Sequence, residues 1–266
     1  MKSPLKALAA ALCVLAATAA HAHNVWLLPS STVLATPQFV TVDGGASTKP
    51  FVADHRPLQI DQLVILAPDN SKLSPVSVTK GELRTTFDVK LEQKGTYRME
   101  LVREGVRANW KVDGQPKRWM GTAEAFAKEV PADAADLQVS ESASRLETFV
   151  TVGAPSAIKA TGKGLELIPV THPNDLVTGE PAVFQFNVDG KPAEGVEVVL
   201  VRGQTRYRNQ LDEIKLTTGK DGKVTIKWPQ AGVYWLDADI KDSKVTVKAA
   251  KERSLAYTAT LEVLPQ

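Results

Sequence analysis

The sequence predicts an all-β protein built as two β-sandwich domains, with one short helix in the first. Three features predict this. Short runs alternate apolar and polar residues, turn clusters of Gly, Pro, Asn and Asp separate them, and only one stretch carries helix caps. Alternation with a period of two marks a strand buried on one face.

In chain order, residues 1–22 come first and read as a signal peptide. Lys2 and Lys6 precede an apolar run from Ala7 to Ala17, and Ala20 and Ala22 occupy the small-residue positions of a cleavage site. Strand text then begins at Val25-Trp26-Leu27-Leu28-Pro29. It continues at Gln38 to Val42, which meets a turn signal at Asp43-Gly44, and at Gln62 to Leu66 before Pro68-Asp69-Asn70. Thr86 to Leu91 and Tyr97 to Leu101 alternate strictly. Thr122 can cap a helix spanning 122–130, which Pro131 closes. Residues 132–144 are rich in alanine and acids and read as a loop, and Glu147 to Val152 is again a strand. Gly153-Ala154-Pro155 and Gly162-Lys163-Gly164 look like a linker, which divides the chain into 23–160 and 161–266.

The second half is more regular. Strands are expected at Leu165–Val170, Val183–Val188, Glu197–Val201, Lys215–Thr218, Val224–Trp228, Val233–Ile240, Val245–Lys248 and Thr258–Leu264. That spacing, with turns at Asp189-Gly190 and Asp221-Gly222, points to an immunoglobulin-like sandwich.

Composition excludes several function classes. The leader holds two lysines and no acid, so removing it leaves thirty basic residues facing thirty acidic ones. A balanced surface argues against nucleic acid, which needs a basic excess on one face. The apolar run is too short for a membrane span and no later one approaches that length, so no membrane insertion is expected after cleavage. Cys13, the one cysteine, lies in the leader. Disulfides, thiolate metal sites and a cysteine nucleophile are therefore not expected in the mature chain. No G-x-S-x-G elbow, P-loop, H-E-x-x-H or dinucleotide fingerprint occurs, and a non-catalytic protein is expected.

The candidate chemistry is metal ligation by His23, His55 and His172. Cleavage after Ala22 makes His23 the first residue, so its α-amino group and imidazole can chelate one ion. Cleavage after Ala20 instead leaves His21-Ala22-His23, where the amine, two backbone amides and an imidazole can wrap the metal. An all-nitrogen set suits copper or nickel better than calcium or magnesium. The plainer reading of His55 and His172 is a hydrogen-bonded or solvated loop residue. Asp54 and Asp175 are either carboxylates that orient these rings or simple turn residues. Arg202, Arg206, Tyr207 and Arg208 surround Gly203 as a basic, aromatic patch, which is either a dock for an anionic ligand or partner, or a solvated hairpin tip. Trp26, Trp119, Trp228 and Trp235 read as core or interface residues.

These residues carry a family resemblance. His23-Asn24-Val25-Trp26-Leu27-Leu28-Pro29-Ser30 at the start is similar to a periplasmic domain-of-unknown-function family associated with nickel and cobalt uptake systems. So are Leu165 to Leu176, Val188-Asp189-Gly190-Lys191-Pro192, Gly195 to Val198, Thr218 to Gly222 and Ala231 to Leu236. The resemblance implies a periplasmic two-domain β protein that binds or delivers nickel, cobalt or copper beside a metal importer or outer-membrane receptor. Two alternatives stay open. One is a metal-independent interaction module docking a receptor or transporter. The other is a copper oxidoreductase with an N-terminal histidine brace.

Overall fold

A computed structural model describes residues 24–266, so the leader and His23 lie outside the described residues. The first sandwich is made from β1 (Asn24–Pro29), β2 (Val33–Leu34), β3 (Gln38–Ser47), β4 (Arg56–Pro57), β5 (Val64–Leu66), β6 (Lys72–Leu73), β7 (Val76–Lys80), β8 (Thr85–Leu91), β9 (Gly95–Val112), β10 (Gln115–Gly121), α1 (Ala123–Glu129) and β11 (Ala135–Val152). One sheet runs β1-β3-β8-β7, and the facing one includes β5, β9 and β11. That is the strand arrangement of a constant-type immunoglobulin domain. Its core packs Leu27, Val42, Phe87, Val89, Tyr97, Met99, Leu146 and Val150.

The second sandwich follows with β12 (Leu165–Pro169), β13 (Pro181–Val188), β14 (Lys191–Pro192), β15 (Glu197–Arg202), β16 (Ile214–Thr217), β17 (Lys223–Lys227), β18 (Gly232–Asp242) and β19 (Ala250–Val263). Strands β12, β13, β14 and β17 form one sheet, and β16-β15-β18-β19 faces it. Its core packs Phe184, Phe186, Val196, Leu200, Ile226, Trp228, Tyr234 and Tyr257. The two sandwiches repeat one design. In each, a tyrosine just inside the sixth main strand reaches back to the preceding turn: Tyr97 Oη donates to Gln93 O at 3.0 Å and Tyr234 Oη to Gln230 O at 2.8 Å. Each last strand also takes a short parallel partner near its end, Thr151↔Val33 in the first and Leu264↔Val177 in the second.

The two last strands join the sandwiches. β11 and β19 pair in parallel from Val139↔Ala250 to Thr148↔Thr260, so a single 10-stranded sheet runs through both halves. Leu146 faces the first core while its partner Thr258 faces away from the second, and Arg145 lies beside the inward-facing Tyr257. The outer face of one sandwich therefore continues as the inner face of the other, and their second sheets pack on opposite sides. A further apolar contact comes from Trp26 on β1, which meets Val201 and Trp235. Trp235 Nε1 donates to Val25 O at 2.9 Å.

Several expectations change. β3 passes through Asp43-Gly44 and ends at Ser47. Glycine is needed there, because a Cβ on Gly45 would lie 2.7 Å from Trp26 Cζ2. Residues 132–144 are not a loop: β11 begins at Ala135. The strand is disguised because its buried face carries Glu141, whose carboxylate accepts hydrogen bonds from Thr246 N at 2.7 Å, Thr246 Oγ1 at 3.0 Å and Val247 N. Those bonds hold 245–248 as an irregular segment, so the strand expected at Val245–Lys248 starts instead at Ala250. The helix forms with Thr122 Oγ1 accepting from Ala125 N at 3.2 Å and ends before Pro131. Among the described residues no helix is long and apolar enough to cross a membrane.

Each tyrosine corner should be separable. Tyr234→Phe is expected to cost about 1 kcal/mol, the usual net worth of one internal hydrogen bond, and Tyr97→Phe about 2 kcal/mol, because Tyr97 Oη also accepts from Gln93 N at 2.6 Å. The double variant should cost their sum, since the corners share no partner. Urea denaturation followed by circular dichroism reads this, and losses below a few tenths would deny the corners a stabilising role.

Candidate functional site

Strand register brings Asn24 and the segment just before β4 to neighbouring positions on β3. Asn24, the first described residue, lies opposite Ser47 on one side of β3. On the other side of β3, Ala46 pairs with Arg56. One step further, Asp54 Oδ1 accepts from Thr48 N at 2.9 Å, and its Oδ2 accepts from Thr48 Oγ1. His55 lies in the bend between these two contacts. Asn24 and Arg56, the residue after His55, thus flank β3 at adjacent register positions, two strand spacings or about 10 Å apart. Asn24 Nδ2 donates to Thr48 O at 3.0 Å and Trp26 Nε1 to Ser47 Oγ at 3.0 Å, which pins the beginning of β1 to the end of β3.

Asp54 acts first as a turn residue. Burial works against its carboxylate, but the hydrogen bonds from Thr48 and the charge of His55 outweigh it, and its pKa falls below the ordinary value. His55 itself is exposed.

His172 is placed elsewhere. β3 ends at Ser47 beside Asn24, whereas Gln38 at its other end pairs with Leu91, and β9 begins just beyond. Thr96 on β9 is the partner of His172 Nε2 at 3.0 Å. The nine steps of β3 put this region about 30 Å from Asn24. Both ring nitrogens are engaged: Nδ1 accepts from Asn174 N at 3.1 Å, which leaves Nε2–H to donate to Thr96 Oγ1. Burial lowers the ring's pKa against the opposing pull of the Ser156 backbone and Asp175, so the imidazole stays neutral near pH 7. Thr151 Oγ1 joins the network at 3.0 Å from Thr96 Oγ1 and donates to Asn174 Oδ1 at 2.9 Å. This network ties the segment leading into the second sandwich to the end of the first. Asp175 is a turn residue, its N donating to His172 O at 2.9 Å.

Among the described residues no group of three or more His, Cys, Asp or Glu is arranged to hold a metal ion. His23 lies outside that set.

Sequence reasoning missed a buried acid–base cluster at the seam. Arg98 and Glu100 on β9, Arg145 and Glu147 on β11 and Tyr257 on β19 share one face of the continuous sheet. Arg145 Nη1 lies 2.5 Å from Glu100 Oε2 and 3.5 Å from Glu147 Oε1, and Tyr257 Oη donates to Glu147 Oε2 at 2.8 Å. The linker closes over them: Arg98 Nη1 donates to Lys159 O at 2.9 Å and Arg145 Nη2 to Thr161 Oγ1 at 2.9 Å. Burial pushes the Glu147 carboxyl up to about 7, against the opposing pull of Arg145, Arg98 and the Tyr257 hydroxyl. The only trace in the sequence was that Arg145 and Glu147 alternate with Leu146 and Thr148; which neighbours they would meet depended on pairings far along the chain.

The architecture defines an all-β protein of two joined sandwiches. A family model described as "Domain of unknown function (DUF4198)" matches residues 20–242, and the chain belongs to that family. No curated protein matches. Among solved structures, trypsin-activated alpha-2-macroglobulin from Escherichia coli aligns at 15% identity and a TM-score of 0.24, over 92% of this chain and 16% of that one. The adhesin InvE of Yersinia pseudotuberculosis aligns at 13% identity and a TM-score of 0.22, over 89% of this chain and 60% of its own. The D0-D1 domain of Intimin gives 13% identity and 0.22, over 90% of this chain and 99% of its own.

The buried carboxyl generates a pH prediction. Its folded pKa lies above the unfolded value near 4.5, so between pH 4.5 and 7 the folded chain holds a proton that the unfolded chain has released. This group's contribution to stability therefore falls as pH rises through that window and is flat above it. Glu147→Gln should gain melting temperature relative to wild type on going from pH 5 to pH 8. A difference independent of pH would refute the assignment.

Proposed function

We propose that this protein is a non-catalytic, periplasmic transition-metal carrier, with its site at the start of the mature chain. His23 supplies the α-amino nitrogen and its own imidazole, and His55 supplies the third nitrogen. One observation carries the proposal: β1 sets Asn24, the residue after His23, opposite Ser47, and β4 sets Arg56, the residue after His55, opposite Ala46 on the other side of β3. Three nitrogens from two residues suit copper(II) or nickel(II), which accept tetragonal nitrogen fields. Resemblance to a family associated with nickel and cobalt uptake supports the same class of ion, and the leader supports export to the periplasm. A metal importer or outer-membrane receptor is the partner such a carrier would serve.

His172 takes no part in this site, because its lone pair and its proton are both committed within the fold. The exposed position of His55 and its place at a strand edge leave the ion open to a partner, as delivery requires. That suits handing on an ion better than holding it permanently.

Isothermal titration of protein processed to begin at His23 tests the proposal. One copper or nickel site is expected, weakened at least 100-fold by His55→Ala and by an additional N-terminal methionine. His172→Ala should leave the affinity within about twofold. Unchanged binding in both the His55→Ala and the methionine-extended protein would refute the site.

A further inference from the structure

A cleft of about 400 Å³ lies where the first sandwich meets the loop joining β15 to β16, well apart from the seam cluster in its lining. Trp26, Phe51 and Arg84 line it from the first sandwich, and Thr205, Arg206 and Tyr207 line it from the second. Its volume falls within the range of small-molecule sites, which favour domain interfaces and aromatic walls with a few convergent polar groups.

The walls are held in place before any ligand arrives. Trp26 is fixed by Ser47, and Phe51 meets it edge-on at 6.0 Å with an interplanar angle of 64°. Phe51 has φ of 62° and Gln204 φ of 61°, so both shoulders of the cleft use left-handed backbone that bulky residues rarely adopt. Gly203 packs next to Phe51, where a Cβ would come within ordinary contact of Phe51 Cδ2 at 3.4 Å and within 3.2 Å of Val233 O. Arg208 clamps the loop from behind, donating from Nη2 to Arg202 O and to Gly203 O at 3.3 Å and pairing through Nη1 with Asp212 at 3.2 Å.

The charges select the ligand. Arg84 is partly neutralised by Asp43 at 3.5 Å. The side chains of Arg206 and Tyr207 make no hydrogen bond or ion pair among the described residues, and Tyr207 is 81% exposed. The Thr205 hydroxyl is buried in the wall and has no hydrogen-bond partner among the described residues, an arrangement that costs free energy in the free protein. One uncompensated guanidinium offers a planar fork for a carboxylate, and the rings of Phe51 and Tyr207 offer surface for a flat molecule over the buried Trp26.

We propose that this cleft binds an aromatic monocarboxylate, its ring among Trp26, Phe51 and Tyr207 and its carboxylate on Arg206. The site is separate from the metal proposal and needs no ion.

The test uses full-length mature protein, stripped of metal by chelator and dialysed. Benzoate and 2-naphthoate are titrated by calorimetry and by saturation-transfer NMR, with benzamide and acetate as controls. Saturable binding of the two aromatic acids is expected, with benzamide and acetate at least tenfold weaker. Arg206→Ala and Tyr207→Ala, both on the exposed loop, should each lose at least tenfold while keeping the wild-type melting temperature. His55→Ala should bind as wild type, which separates this site from the metal site. No saturable binding, benzamide or acetate binding as tightly as benzoate, or wild-type affinity in both loop variants would overturn the proposal.

Discussion

The parallel, in-phase pairing of β11 with β19 is the constraint on which the rest of the molecule depends. An immunoglobulin-like sandwich leaves the edge of its last strand open, and open edges invite other chains. Here each sandwich closes the edge of the other, from Val139↔Ala250 to Thr148↔Thr260. Because side chains alternate, the register also decides which face each second sheet covers. Leu146 lies under the first sheet and Tyr257 under the second, on opposite sides of one continuous surface.

That staggered arrangement separates the two ends of the first sandwich into different roles. One end receives the linker and the segment around His172, and its polar groups are consumed in holding the halves together. The other end holds Asn24, Ser47 and His55 at a strand edge, where the polar groups of Asp54 and Thr48 close a turn and His55 is left at the surface. Trp26 links that edge to the second sandwich, with one face of β1 against Val201 and Trp235 and the other contributing Leu27 to the first core. Val25 and Trp26 are thus fixed by both halves, although neither half alone surrounds them.

Strand character, the short capped helix and the immunoglobulin-like class were legible because period-two alternation and capping are local properties. Thr86 to Leu91 shows its buried face in its own letters, as does Thr122 its cap. Residues 135–144 hid a strand because Glu141 occupies a buried position and finds its donors at Thr246 and Val247, more than a hundred residues away. For the same reason, His55 and His172, each beside a proline-containing turn, looked equivalent in the sequence. Only pairing distinguishes them: β3 separates the ends at which His55 and His172 reside, and Thr96 and Asn174 occupy both nitrogens of one ring. No local pattern encodes which strand ends share a side of a sandwich.

The charged cluster at the seam explains how a parallel joint between two similar sandwiches keeps one register. Burying ions costs more than packing hydrocarbon of equal volume unless every charge is paired and hydrogen-bonded, so such a cluster is a poor source of raw stability. Its effect lies in what it forbids. A one-residue slip reverses every side chain of a strand. Sliding β11 by one would drive Arg145 and Glu147 into the core of Phe87 and Met99 and turn Leu146 outwards. Sliding β19 would take the Tyr257 hydroxyl from Glu147 and remove its ring from its edge-on contact with Phe186 at 5.9 Å. An all-apolar seam would tolerate neighbouring registers far better, and each would move the linker, Trp26 and the loop at Gly203 together. Holding Glu147 between Arg145 and Tyr257 therefore fixes the positions of surfaces that the cluster never touches.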